Sequence, residues 1–235
     1  MAIPWYLAMT PGEVSVCPQL PEHMAWMSCH FSASASGISN IPEELPKGAM
    51  LILDDSTPFN AHDPSVVTQE LLQVVEQLGI QLVLLDFQRP DVPQVRDLAN
   101  VLCTALPCSV GVSSPYAQAV NCPIFLPPLP LHLRLEEYLA PYKGRKIWLD
   151  LAPGCGELHI LPKGNQYLPM PANALAPGSF RDDTLRCRYA TSVTEDGVVF
   201  SLCRGQEELP LLLEDAEKAG VTLALGLYQE LTALF

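Results

Sequence analysis

Three apolar runs of this chain end on an aspartate, and the residues just past them are the ones equipped for chemistry. Met50–Asp54 reads MLILD and continues into a second acid, Asp55, ahead of Ser56-Thr57-Pro58. Gln81–Asp86 reads QLVLLD and is followed closely by Gln88 and Arg89, while Ile147–Asp150 reads IWLD ahead of Leu151-Ala152-Pro153-Gly154. Carboxylates gathered round one pocket can move protons or hold hydroxyl groups, and an amide such as Gln88 can only donate and accept hydrogen bonds. Each acid also has a plainer reading. Asp54 and Asp55 could tighten the turn after them, Asp86 could pair with Arg89, and Asp150 could serve its own turn. His30, Tyr6, Tyr116 and Tyr228 are the polar and aromatic residues placed to join these acids at a binding surface.

The elements that must position these residues follow from hydrophobic patterning. Short apolar runs without polar alternation predict strands at Trp5–Met9, Ala25–Cys29, Met50–Asp54, Gln81–Asp86, Ser109–Ser113, Pro123–Leu126, Ile147–Asp150 and Thr222–Gly226. Between them lie faces with helical spacing. Val67, Leu71, Val74, Val75 and Leu78 follow Asp63 as N-cap and Pro64 as first helical residue. Val95, Leu98, Ala99 and Leu102 make a second such face, Leu135, Tyr138, Leu139 and Tyr142 a third, and Leu209, Leu212, Leu213 and Ala216 a fourth. Eight strands alternating with helices predict an α/β fold, a closed (β/α)8 TIM barrel over residues 1–235 as a single domain. Residues 10–24 and 31–48 are rich in Pro, Ser and Gly and show no helical period, so the early crossovers are expected to be irregular. An insertion over 152–205, between the seventh and eighth strands, carries two expected hairpins: one about Lys163-Gly164-Asn165, the other about Thr194-Glu195-Asp196-Gly197.

The stretch from Gly79 to Pro90, GIQLVLLDFQRP, resembles the fourth-strand signature of the family 18 glycoside hydrolases, the chitinase-like barrels, which reads DGxDxDxE. The alignment places Gln81 at the first Asp, Leu84 at the second, Asp86 at the third, and Gln88 at the terminal Glu that serves the family as proton donor. The resemblance implies a barrel whose site lies at the carboxyl ends of its strands, with Asp86 among its catalytic positions. It also implies that the donor is missing, because an amide cannot protonate a leaving oxygen near neutral pH. The family's usual aromatic and acid at the end of the sixth strand are absent from CPIFLPPLP.

Composition narrows the classes further. Thirteen Lys and Arg against 26 Asp and Glu give a net charge of −13, which repels polyanions, so nucleic acid is not an expected partner. No nucleotide-binding glycine motif is present and no cofactor is expected. The eight cysteines include no CxxC pair, and no His stands at zinc-finger spacing, so metal binding is not expected either. In the hairpin register Cys187 and Cys203 fall on opposite faces, and all eight thiols are expected to be reduced. No apolar stretch is long enough to span a bilayer and the N-terminus lacks a basic signal region, which predicts no membrane association and a cytoplasmic protein.

Three functional readings stand at this point. The first is a family 18-like barrel that binds a small saccharide or glycan fragment with lost or vestigial hydrolysis, using Arg89, His30, Tyr6, Tyr116 and Tyr228 as contacts. The second is an active glycoside hydrolase with its acid moved to Asp54, Asp55 or Asp150. The third is a non-catalytic structural or interaction barrel.

Overall fold

A computed structural model of the chain describes residues 3–33, 37–59, 63–89, 92–118, 121–171 and 179–231. In chain order its strands are β1 (Trp5–Met9), β2 (Met24–Phe31), β3 (Ile38–Ser39), β4 (Met50–Asp54), β5 (Leu82–Asp86), β6 (Ser109–Ser113), β7 (Ile124–Leu126) and β8 (Ile147–Asp150). The insertion then supplies β9 (Gly154–Leu161), β10 (Gly164–Met170), β11 (Phe180–Asp182), β12 (Cys187–Thr194) and β13 (Gly197–Arg204), and β14 (Val221–Leu227) returns to the main sheet. The order β1-β14-β8-β7-β6-β5-β4-β2 closes on itself through a β1–β2 pairing, and all of these pairings are parallel. This is the closed eight-stranded barrel expected from the sequence. The two-residue β3 adds to β2 in antiparallel fashion.

The helices are α1 (Pro11–Val16), α2 (Pro64–Leu78), α3 (Pro93–Ala105), α4 (Leu135–Leu139), α5 (Leu209–Lys218) and α6 (Tyr228–Leu231). At α2 the local code is followed closely. Asp63 accepts a hydrogen bond from the Ser65 amide, Pro64 occupies the first turn, and Gly79 ends the helix at φ 65°, in the left-handed region that glycine enters without a Cβ penalty. Its buried stripe is Val67, Leu71, Val74 and Val75, facing the outer surface of the barrel. The crossover after β1 departs from expectation, because residues 11–16 are helical. The signal was Thr10-Pro11-Gly12-Glu13: the Thr10 hydroxyl accepts from the Glu13 amide while the Glu13 carboxylate accepts from the Thr10 amide. None of the residues of α1 is buried, which is why no apolar period announced it.

The inside of the barrel is filled by Tyr6, Ala8, Ala25, Met50, Ile52, Leu84, Phe125, Trp148, Leu223 and Leu225. It is a packed core rather than a pore, as barrels of this kind require. Of the three tryptophans, Trp148 lies in this core, while Trp5 and Trp26 pack against clusters outside the barrel. Trp148 dictates a glycine on the next strand but one: a Cβ on Gly111 would lie 2.4 Å from the indole ring. Gly111→Ala is therefore expected to destabilise the fold by about 1–3 kcal/mol through overpacking, read as a lowered urea midpoint with unchanged slope.

The insertion folds as a separate five-stranded antiparallel sheet of order β10-β9-β13-β12-β11. The β12–β13 hairpin turns at Glu195-Asp196, as expected, with Thr194 opposite Gly197. The β9–β10 turn falls one residue earlier than expected, at Pro162-Lys163, because Gly164 already pairs with Leu161. Arg204 anchors the sheet to the barrel. Arg204 is 2% exposed and its guanidinium donates to the carbonyls of Leu129, Leu185 and Arg186, so burial of the charge is offset by three acceptors. The expectation of eight reduced thiols is overturned here, since Cys155 and Cys203 form a disulfide. These two are 48 positions apart and meet only because β13 returns beside β9, a pairing that no local hairpin register reveals.

Candidate functional site

Strand pleating decides which acids face the mouth. Met50 and Ile52 point into the barrel, so Asp54, two residues on, continues that face; Leu82 and Leu84 do the same for Asp86, and Trp148 for Asp150. Asp54 pairs in register with Asp86, and Asp150 with the inward Leu225. His30 reaches this face by a different route. Ala25 and Met27 pack inside the barrel, yet Cys29 and Phe31 pack outside it. The change of phase occurs at a bulge between Trp26 and Cys29, where Ser28 sits at φ 114°. The bulge sets His30 directly opposite Asp54, with its Nδ1 2.9 Å from the Ser28 carbonyl oxygen. His30, Asp54, Asp86 and Ser113 thus stand at the carboxyl ends of four neighbouring strands.

Asp86, Ser113 and Gln88 form a hydrogen-bonded cluster. The Ser113 hydroxyl donates to Asp86 Oδ1 at 2.7 Å, Gln88 Nε2 donates to the same oxygen, and Gln88 Nε2 is 3.4 Å from Ser113 Oγ. Ser113 is buried, Asp86 is half-buried and Gln88 is exposed, so the cluster runs from the core out to solvent. The loop carrying Gln88 is held by Asp55. One carboxylate oxygen of Asp55 accepts from the Gln88 amide at 3.0 Å and the other from the Arg89 amide at 2.9 Å. Arg89 returns the contact through its guanidinium, donating to the carbonyls of Asp55 and Ser56. These contacts position the loop, and they leave the β5 acid to Ser113 and Gln88 rather than to Arg89. Asp54 meanwhile accepts from the Ser56 amide at 2.8 Å, closing the turn that presents Asp55.

Across the mouth, Asp150 is electrostatically unusual. Burial, then the negative charges of Asp86 and Glu230, push its carboxyl up to about 7, against the Leu151 amide, which favours the ionised form. Glu230 lies on α6, just beyond the strand paired with β8, and burial raises it as well. Its electrostatic link to Asp150 depends on β14 closing beside β8, which no local pattern encodes.

Two of the expected contact residues stand elsewhere. Tyr6 is buried inside the barrel, and its hydroxyl donates to the carbonyl of Gly48, which precedes β4; the side chain therefore points to the amino-terminal end, away from the mouth. Tyr116 is 1% exposed in the outer core, edge-on to Phe87, with its hydroxyl donating to the Arg89 carbonyl and accepting from the Val92 amide. Tyr6 lies within a predicted strand and Tyr116 just past one, and sequence position could not say which end or face their rings would take. Tyr228 begins α6 at the rim, half-buried, 3.6 Å from the thiol of Cys17.

A cavity of about 310 Å³ lies between the insertion and the loop after β7, lined by His132, Leu158, Asp182, Leu185, Tyr189, Phe200 and Leu202. His132 stacks on Tyr167 of β10 at a centroid distance of 5.1 Å. Sequence reasoning missed this wall, because each strand contributes only one or two of its residues. Among the described residues there is no group of three or more His, Cys, Asp or Glu side chains arranged to hold a metal ion, and no helix is long and apolar enough to cross a membrane.

No protein-family model matches the chain, and no curated protein sequence matches it closely. Solved structures do. A GH18 chitinase from Cycas revoluta, in complex with (GlcNAc)3, superposes with a TM-score of 0.61 at 13% identity, covering 99% of this chain and 97% of that one. The same chitinase superposes equally well as a double mutant in which one glutamate is glutamine, in complex with (GlcNAc)4. The Bacillus cereus spore cortex-lytic enzyme SleL matches with a TM-score of 0.58 at 11% identity, covering 95% of this chain and 70% of that one. A family 18 N-acetylglucosaminidase from Paenibacillus barengoltzii matches with a TM-score of 0.59 at 9% identity, covering 95% of this chain and 94% of that one. At such identities the likeness is one of fold, and the fold is a family 18 glycoside hydrolase-like TIM barrel.

Proposed function

We propose that the mouth of this barrel binds a saccharide containing N-acetylglucosamine, and that hydrolysis is lost or vestigial. The observation that carries this reading is the Asp86–Ser113–Gln88 cluster at the end of β5, which keeps a hydrogen-bonding surface where a proton donor would be needed. Gln88 can meet a sugar hydroxyl or glycosidic oxygen with either end of its amide, yet it holds no proton to transfer at neutral pH. Structural neighbours solved with GlcNAc oligosaccharides, one of them carrying a Glu-to-Gln change, support the choice of ligand. Tyr189 and Phe200, on the cavity between the insertion and the loop after β7, offer ring faces on which the apolar side of a longer oligosaccharide could stack.

The test is isothermal titration with (GlcNAc)4, alongside a screen of chromogenic N-acetylglucosaminides. Saturable binding without turnover is expected. Asp86→Ala should weaken that binding about tenfold, the equivalent of one charge-assisted hydrogen bond. Absence of any binding to chitin or peptidoglycan fragments would sink the reading and leave the interaction barrel.

A second reading has one specific observation in its favour. A carboxyl held near 7 is suited to give up a proton at neutral pH, and Asp150 is such a group, with Asp86 coupled to it across the mouth. In that reading Asp150 is the acid of an active hydrolase. Turnover by the wild-type chain that disappears in Asp150→Asn, with binding retained, would select it.

A further inference from the structure

Far from the mouth, two thiols have been brought together. Cys103 lies near the end of α3, and Cys122 stands two residues before β7. Because α3 runs back from the carboxyl end of β5 toward the start of β6, both cysteines lie at the amino-terminal end of the barrel. Their sulfurs are 2.7 Å apart, closer than two unlinked sulfurs in ordinary contact, although both thiols are free in the structure. Both residues are half-buried, so a small reagent can reach them.

The surroundings make the pair unequal. Arg145, from the turn before β8, donates to the carbonyl of Ala117 at 3.0 Å and to that of Cys122 at 3.1 Å, which places its guanidinium beside Cys122. The hydrogen bond shared with Cys103, followed by the charge of Arg145, lowers the Cys122 thiol despite its burial, and the same hydrogen bond raises the Cys103 thiol. Other thiols are pushed the opposite way from Cys122: burial raises Cys108 to about 11, Cys187 to about 11 and Cys29 to about 12.

We propose that Cys103 and Cys122 form a reversible disulfide site, with Cys122 as the attacking sulfur and Cys103 as the resolving one. With a low-molecular-weight disulfide such as oxidised glutathione, the Cys122 thiolate attacks one sulfur, forms a mixed disulfide and expels a glutathione thiolate. Cys103 then loses its proton to that thiolate and attacks the Cys122 sulfur, expelling the second glutathione. Two protein thiols are oxidised and one glutathione disulfide is reduced to two thiols, so atoms and electrons balance. The bond would tie α3 to the β6–β7 crossover, whose only described helical piece is the single 3-10 turn Ser114–Tyr116.

The experiment uses the full chain incubated with oxidised glutathione, blocked with iodoacetamide and digested with chymotrypsin without reductant. Cleavage after Tyr116 separates Cys122 from Cys103, and fragmentation distinguishes Cys103 from Cys108. A Cys103–Cys122 cross-linked peptide is expected from the wild type. Cys103→Ser should instead retain glutathione on Cys122, whereas Cys122→Ser should leave Cys103 free to be alkylated. Separate alkylation of Cys103 and Cys122 in the wild type would overturn the site. A glutathione adduct that prefers Cys103 or Cys108 to Cys122 would overturn the assigned order of attack.

Discussion

Asp150→Asn is expected to stabilise the protein at pH 8 by up to about 4 kcal/mol and to flatten its stability between about pH 4 and pH 7. The folded state raises this carboxyl from 3.8 to about 7, each unit being worth about 1.4 kcal/mol. The native chain therefore holds more protons than the unfolded chain across that window, and the wild-type unfolding free energy falls as pH rises through it. Below about pH 4 both states are protonated and the stabilisation relative to the ionised form is fully present; above about 7 it is gone. Asparagine copies the neutral form and has no proton to lose. Among the described residues, the titratable groups that act on Asp150 are Asp86 on β5, Glu230 on α6 and the Tyr138 hydroxyl on α4, none of which supplies a positive charge. Urea denaturation of both proteins from pH 4 to pH 8 is the check. Parallel curves would mean that Asp150 ionises at its ordinary value. A destabilising acid kept at the mouth of a barrel is what a site tuned for ligand rather than for stability would hold.

Gln88→Glu is expected to create N-acetylglucosaminidase activity, raising hydrolysis of a chromogenic substrate about 10²- to 10⁴-fold over the wild type, the usual contribution of a positioned general acid. The geometry is favourable because the Gln88 side chain already points at Asp86, and the loop bearing it is fixed through two backbone amides by Asp55. A carboxyl placed there would sit beside an acid, so the pair would share a proton and one member would titrate high. Asp55→Asn in the same background should remove most of the gain by loosening the loop, with (GlcNAc)4 binding as the control. Retained binding with no new activity would show that more than the proton donor is missing, as the absent aromatic and acid at the end of β7 already suggest.

Much of the fold was legible in the residues. Strands with both faces buried read as continuous apolar runs, and Met50–Asp54, Ser109–Ser113 and Ile147–Asp150 begin and end where that pattern says. The helix after Asp63 was written in its cap, its proline and its apolar stripe. What escaped was whatever depended on partners distant in sequence. Cys155 and Cys203 look unrelated until β9 and β13 lie side by side. Tyr6 and Tyr116 were expected at the mouth, but the choice of end and face for a ring belongs to packing.

By itself the sequence determined that three strands would end in aspartate and that the position after the fourth strand would offer an amide instead of an acid. Only the tertiary structure decided what those groups became. Parallel register set Asp54 beside Asp86, and a one-residue bulge at Ser28 turned His30 inward to meet them. Closure of the barrel brought Asp86 and Glu230 to bear on Asp150 from strands and helices far away in the chain. Charge is carried by a residue type, but the free energy of that charge depends on the distance to other charges and to water, and both are properties of the folded state.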